Sequence, residues 1–352
     1  MKTDARDRQR IEEAIARLAA TRWPGAAIAS VEAIAGDASS RRYVRCRLRG
    51  PSAPRAVVAM LMDSREVALS SEELGVFGES GPEEIPFVNV ARYLSRFCRA
   101  IPEIYDVAAD GTCILLEDVG DVSLWAEAGR VPADAELWFE RALDLLAEIQ
   151  RRARDDGTGC YAFHQAFDRR LFAWELDHFL EYGVRPLPEP LERECRRQLD
   201  GLAECLAGLD RVFCHRDYHA WNIHVQDGRL RLLDFQDALL GPAAYDAASL
   251  LTDRCTPSLV GLDRAAELFE RFADRAGLGG RERAAFFDCA LQRALKVIGR
   301  FHYLADCKGK PGYLSFLPDV VATAKAAAAR SGRAGALGEV LENWLRGESE
   351  TS

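Results

Sequence analysis

The run Val212–Asp237, VFCHRDYHAWNIHVQDGRLRLLDFQD, decides how the rest of the chain is read. Its apolar start, Val212-Phe213-Cys214, reads as a strand that breaks into His215-Arg216-Asp217, and Asn222 follows in the same loop. Asp227-Gly228 is a hairpin signal, and the returning strand Leu230–Leu233 delivers Asp234-Phe235-Gln236. One carboxylate open to a proton, with an amide and a second carboxylate able to share a hard cation, is the set that phosphoryl transfer from ATP requires. The spacing His-Arg-Asp-x-x-x-x-Asn is met over 215–222, and an Asp-Phe-x tripeptide lies one hairpin beyond it. A charged turn or a helix cap would explain any one of these residues. Three of them at fixed offsets on a strand–loop–hairpin background are much harder to obtain by chance.

Upstream, Ile11, Ile15 and Leu18 recur at helical spacing over residues 6–20. Ala26–Ala35 reads as a first strand, and Gly36-Asp37-Ala38-Ser39-Ser40 stops it. Tyr43–Leu48 alternates apolar and basic side chains as a half-buried strand does, and Ala56–Met62 is an apolar third strand after the Gly50–Pro54 turn. Residues 64–85 are rich in Ser, Glu and Gly and read as an exposed connection, followed by a helical pattern over 86–99. Ile101–Val107 and Thr112–Glu117 read as strands around Asp110-Gly111. From there on the pattern is helical, over about 133–152, 167–182, 191–209, 261–276, 281–306 and 318–330, with 346–352 as a frayed tail.

These segments carry a resemblance. His215–Asp237 resembles the catalytic segment of the aminoglycoside phosphotransferase/choline kinase superfamily, which is related to protein kinases. The chain is most similar to the bacterial kinases that phosphorylate the anomeric hydroxyl of N-acetylmuramate and N-acetylglucosamine in cell-wall recycling. Gly36–Tyr43, Met60–Asp63, Ile114–Gly120, His215–His219, Leu233–Ala238, Gly241-Pro242, Tyr245-Asp246 and Lys296–Phe301 carry it, within residues 28–318. It implies an α+β, protein-kinase-like fold: a small nucleotide-binding lobe with an antiparallel sheet over 1–117, then a larger, mostly helical lobe over 118–352.

The roles implied follow the motifs. Asp217 orients the acceptor hydroxyl as base, and Asn222 and Asp234 hold Mg²⁺. The loop Gly36, Asp37, Ala38, Ser39 and Ser40 covers the ATP phosphates, where small residues let backbone N–H groups approach oxygen closely. Backbone groups near Leu116 and Glu117 meet adenine. Arg216, His219 and, from the helix around 171–180, Glu175 are the candidates for the acceptor; Glu175 and His178 share a helix face.

Protein kinases also place a lysine on the third strand, paired with a helix glutamate. The chain's five lysines are Lys2, Lys296, Lys308, Lys310 and Lys325, so the third strand has none, and 86–99 offers no glutamate. Arg42, or failing it Arg41, is expected to take that lysine's place.

Composition bounds the alternatives. The chain has 352 residues, enough for two substantial lobes. A formal charge of −9 argues against a nucleic-acid partner, whose phosphates call for a basic face. No Cys-x-x-Cys pair occurs among the ten cysteines, so buried free thiols are expected rather than a metal or disulfide framework. The charged first residues and the lack of a long apolar run point to a cytoplasmic protein with no membrane segment. No protein partner is inferred. The small-molecule acceptor is expected to be a sugar, with an aminoglycoside, choline or a homoserine-like alcohol as alternatives. A nucleotide-binding pseudokinase is the rival of another class, and retention of Asp217, Asn222 and Asp234 argues against it. A kinase acting on proteins fits less well, because no Ala-Pro-Glu segment follows the Asp-Phe-x tripeptide.

Overall fold

The computed structural model describes residues 4–34, 41–65, 84–184, 186–254 and 256–349, with no side chains beyond 345. The presumed phosphate loop Gly36, Asp37, Ala38, Ser39 and Ser40 lies outside the described residues. Contacts divide the chain into two compact units, residues 1–121 with 224–237, and residues 122–223 with 238–352.

The first unit begins with helix α1, Ala5–Thr21, whose Asp4 side chain accepts the Asp7 N–H at 2.7 Å as an N-cap. Ile11, Ala14, Ile15 and Leu18 then form one apolar stripe. That stripe packs on Val44, Cys46, Val57, Ala59, Leu61, Cys113 and Leu115, which are alternate residues of three strands and so share one face of a sheet. Fully burying each large aliphatic side chain of the stripe contributes about 1.5–3 kcal/mol. The strands are β1 (Ala27–Ile34), β2 (Arg42–Arg49), β3 (Ala56–Leu61), β4 (Ile104–Val107) and β5 (Cys113–Glu117). They pair antiparallel in the order β1-β2-β3-β5-β4. Helix α2 is shorter than its sequence pattern, Pro86–Leu94.

The hairpin of β7 (Ile223–Gln226) and β8 (Arg229–Leu232) turns at Asp227 and Gly228, whose φ values of 50° and 71° are the left-handed pair of a tight two-residue turn. A boundary near residue 118 assigned this hairpin to the helical unit, but its contacts group it with the sheet. Leu232 donates to the Ala100 carbonyl at 2.8 Å, and Gln226 to the Asp118 carbonyl at 2.9 Å. His224 bonds the Gly120 carbonyl at 2.8 Å, and Arg231 pairs with Glu117.

The second unit is helical around one short strand pair, β6 (Arg211–Cys214) with β9 (Leu239–Pro242). Its principal helices include α3 (Ala135–Arg152), α4 (Arg169–His178), α5 (Ala243–Thr252) and α6 (Phe286–Lys308). α4 ends sooner than its aromatic pattern suggests and passes into a π-helical turn over Phe179–Gly183. At that junction α6 presents Gly299, where any Cβ would lie 2.5 Å from the His178 carbonyl, so the close crossing requires glycine.

The nine cysteines among the described residues are free thiols, and only Cys205 and Cys307 are exposed. No helix among the described residues is long and apolar enough to cross a membrane.

Candidate active site

Strand β6 ends at Cys214, and the chain then turns sharply through Arg216, whose φ of 77° is strained for a residue with a Cβ. Buried Asp246, on α5, holds this turn. Its two oxygens accept the His215 N–H at 2.6 Å and the Arg216 N–H at 3.0 Å. Burial pushes the Asp246 carboxyl up to about 7, against the lowering effect of those two bonds. From its place on α5, Asp246 thus caps the turn at 215–216.

Beyond the turn, the Asp217 carbonyl accepts the His219 N–H and the Asn222 Nδ2, both at 3.0 Å. The amide nitrogen of Asn222 is thereby used internally, which leaves its oxygen as the end suited to a cation. About a third of the Asp217 side chain is exposed. Arg293 Nη1 donates both to Asp217 Oδ1 at 3.1 Å and to the Arg216 carbonyl at 3.0 Å. Burial alone would raise the Asp217 carboxyl, but the charges of Lys296 and Arg293 outweigh it and hold the group well below the usual carboxylate range. His219 is lowered as well, to about 4 by burial, and is neutral at physiological pH.

Three candidates for acceptor contact turn inward. Glu175 is 2% exposed, and its Oε1 is 2.8 Å from both Arg216 Nη2 and Lys296 Nζ. Its Oε2 takes Gln292 Nε2, also at 2.8 Å. With both oxygens engaged in the interior, Glu175 braces the loop through Arg216. Arg216 is buried and lies 5.7 Å from the Phe167 ring centre. His219 is buried too, with Nε2 3.4 Å from Asn222 Nδ2. Trp221, by contrast, is 37% exposed, stacked on Trp125 at 6.1 Å and edge-on to Phe316 at 6.5 Å.

The sequence reading missed Gln292, Arg293 and Lys296. Their signal was a run of three polar residues within two turns of α6, of which Gln292 and Lys296 meet Glu175 and Arg293 meets the loop. Buried polar groups of this kind persist only when paired.

In the first unit, Asp234 lies just after β8, with φ of 61° and a side chain 45% exposed. Gln236 Nε2 bridges Asp234 Oδ1 and Asp237 Oδ2 at 2.9 and 2.8 Å. Arg41 lies 3.8 Å from Asp234. Arg42, the first choice for a phosphate contact, is bound elsewhere: it forms a two-pronged pair with buried Asp7 of α1 and a further bond to Asp63 at 2.6 Å. Two of the expected adenine contacts are also taken. The Glu117 N–H is donated to the Glu103 carbonyl at 2.8 Å, and Leu116 sits within the sheet, between Val58 and Ile104.

Among the described residues no group of three or more His, Cys, Asp or Glu could hold a metal. An amide oxygen and one carboxylate suit Mg²⁺, which keeps waters and substrate phosphates as its other ligands.

A model of the phosphotransferase enzyme family matches residues 30–287. The chain belongs to that family. The N-acetylmuramate/N-acetylglucosamine kinase of Pseudomonas aeruginosa is 31% identical over 277 residues, 74% of this chain and 78% of its own length. The protein of the same name from Pseudomonas putida is 26% identical over 349 residues, 92% of this chain and 91% of its own. Solved structures bear out the protein-kinase-like fold. Choline kinase from Cryptosporidium parvum superposes with a TM-score of 0.58 at 13% identity, covering 96% of this chain and 99% of that one. The gentamicin complex of the phosphotransferase APH(2'')-IIa gives 0.58 at 13%, covering 91% and 97%.

Proposed function

We propose that this phosphotransferase moves the γ-phosphoryl group of ATP to the anomeric hydroxyl of an amino sugar, N-acetylmuramate or N-acetylglucosamine, as part of cell-wall recycling. Asp217 carries the reading: an ionised, partly exposed carboxylate on a loop fixed by Asp246 and braced by Arg293. Its role is to accept and orient the acceptor hydroxyl. A carboxylate held so far below neutrality is a weak base. It suits a loose phosphoryl transition state, in which positioning outweighs proton removal. It also suits an anomeric hydroxyl, more acidic than an ordinary alcohol because the ring oxygen withdraws electron density.

Two observations favour this acceptor class over the alternatives. Exposed Trp221 offers an aromatic face of the kind on which sugar rings pack. The names of the curated relatives support the same class.

Asn222 and Asp234 are the residues that would hold Mg²⁺, which when bound neutralises phosphate charge. Orientation of the hydroxyl remains the task of Asp217, and rigidity of the loop that of Asp246, Arg293 and Glu175. The test is ATP consumption with N-acetylmuramate, N-acetylglucosamine, kanamycin, choline and homoserine as acceptors. Turnover with the two amino sugars alone is expected. Turnover with kanamycin or choline, and none with the sugars, would contradict the proposal.

A further inference from the structure

The third strand lacks its cation, and the sheet itself indicates which residue supplies one. Side chains alternate along a strand. Val57, Ala59 and Leu61 of β3 point toward α1, so Val58 and Met60 point to the opposite face. Met60 is opposite Tyr43 in the β2–β3 pairing, and Leu61 is opposite Arg42. Arg42 therefore shares the α1 face with Leu61, which is why it meets Asp7. Arg41, one residue earlier, falls on the face of Tyr43 and Met60. Its guanidinium reaches the Tyr43 hydroxyl and stands 3.8 Å from Asp234. At that distance the pair is electrostatic, without a hydrogen bond. Only 14% of the Arg41 side chain is exposed, so a strong charge is held on this face next to a carboxylate that it does not grip. Asp237 and Gln236 are polar groups near this pair.

We propose that Arg41 is the phosphate-binding cation of the nucleotide site, moved from β3 to the neighbouring β2 edge. The inference rests on the reading of the chain as an ATP-dependent kinase. A guanidinium offers phosphate two parallel N–H donors where a lysine offers a point charge, so an arginine approaching from the next strand can serve the same oxygens. In the free protein Asp234 partly neutralises Arg41. With metal and nucleotide bound, Asp234 would be available to the metal and Arg41 to the phosphates, so that each charge would keep a partner.

Titration calorimetry of the full chain with ATP in excess EDTA isolates the Arg41 contribution from that of the metal. Arg41→Gln and Arg41→Ala are expected to weaken ATP about tenfold or more, the range for losing a charge-assisted hydrogen bond, while Arg41→Lys retains part of the affinity. Arg42→Ala should leave ATP affinity within about twofold and lower the melting temperature, because it breaks only the contacts to Asp7 and Asp63. Folded Arg41 variants that bind ATP like the wild type, or a loss that follows Arg42 instead, would overturn the assignment and leave the kinase reading standing. Failure of the wild type to bind ATP even with Mg²⁺ present would overturn both.

Discussion

Two carboxylates of the stretch Val212–Asp237, Asp217 and Asp234, are held in opposite ways. Asp217 stands on a strained loop that Asp246 pins through two backbone N–H groups, while Arg293 grips the side chain itself. Lys296 adds charge, and Glu175 ties Lys296 and Arg216 together from below. Asp234 is nearly half exposed, with Gln236 on one oxygen and Arg41 at 3.8 Å. The difference matches the proposed division of labour. A group that must present one geometry to an incoming hydroxyl gains from being locked beforehand. A group proposed to take a metal gains from staying open to solvent.

Removing the two carboxylates in turn should break the comparison most visibly. Asp217→Asn is expected to lower kcat by about 10²–10⁴-fold with Mg²⁺-ATP affinity unchanged, since the residue meets the acceptor and not the nucleotide. Asp234→Ala should instead weaken Mg²⁺-ATP binding, read by titration with and without the metal. Equal loss of nucleotide affinity in both variants would mean that the two residues do not divide the work.

A smaller effect sharpens the contrast through pH. With Asp246 raised to about 7, both its oxygens accept the loop N–H groups only above that pH. Protonation on the acid side puts a hydrogen where a donor already points, so the loop loosens. Asp217, held well below the usual range, stays ionised across the same interval. The pH profile of kcat/KM should therefore decline by several-fold as pH falls through about 7. A profile flat down to about pH 5 would remove Asp246 from the role of loop clamp.

Local signals in the sequence located much of this. Asp227-Gly228 forecast the hairpin because only left-handed backbone fits so tight a turn, and residues with small or locally bonding side chains adopt it. The alternation in β2 and the stripe on α1 likewise forecast the sheet and the helix that covers one face. What failed depended on partners far along the chain. Glu175 read as a candidate for the acceptor because nothing near it in sequence shows that Gln292 and Lys296 converge on it from more than a hundred residues away. Arg42 was preferred over Arg41 because adjacent arginines are equivalent in sequence. Only pairing with β3 shows that one faces Asp7 and the other Asp234. The hairpin's membership of the sheet unit was hidden for the same reason, since Ala100, Glu117, Asp118 and Gly120 are its partners.

The most direct test of phosphoryl transfer to an anomeric oxygen is the identity of the product. N-acetylmuramate labelled with ¹³C at C1 is incubated with Mg²⁺-ATP and the enzyme, and the carbon and phosphorus spectra are recorded. A sugar 1-phosphate, with C1 split by coupling to phosphorus, is the expected result. Phosphorus coupled to C6 instead, or ATP consumed with no phosphorylated sugar formed, would contradict it.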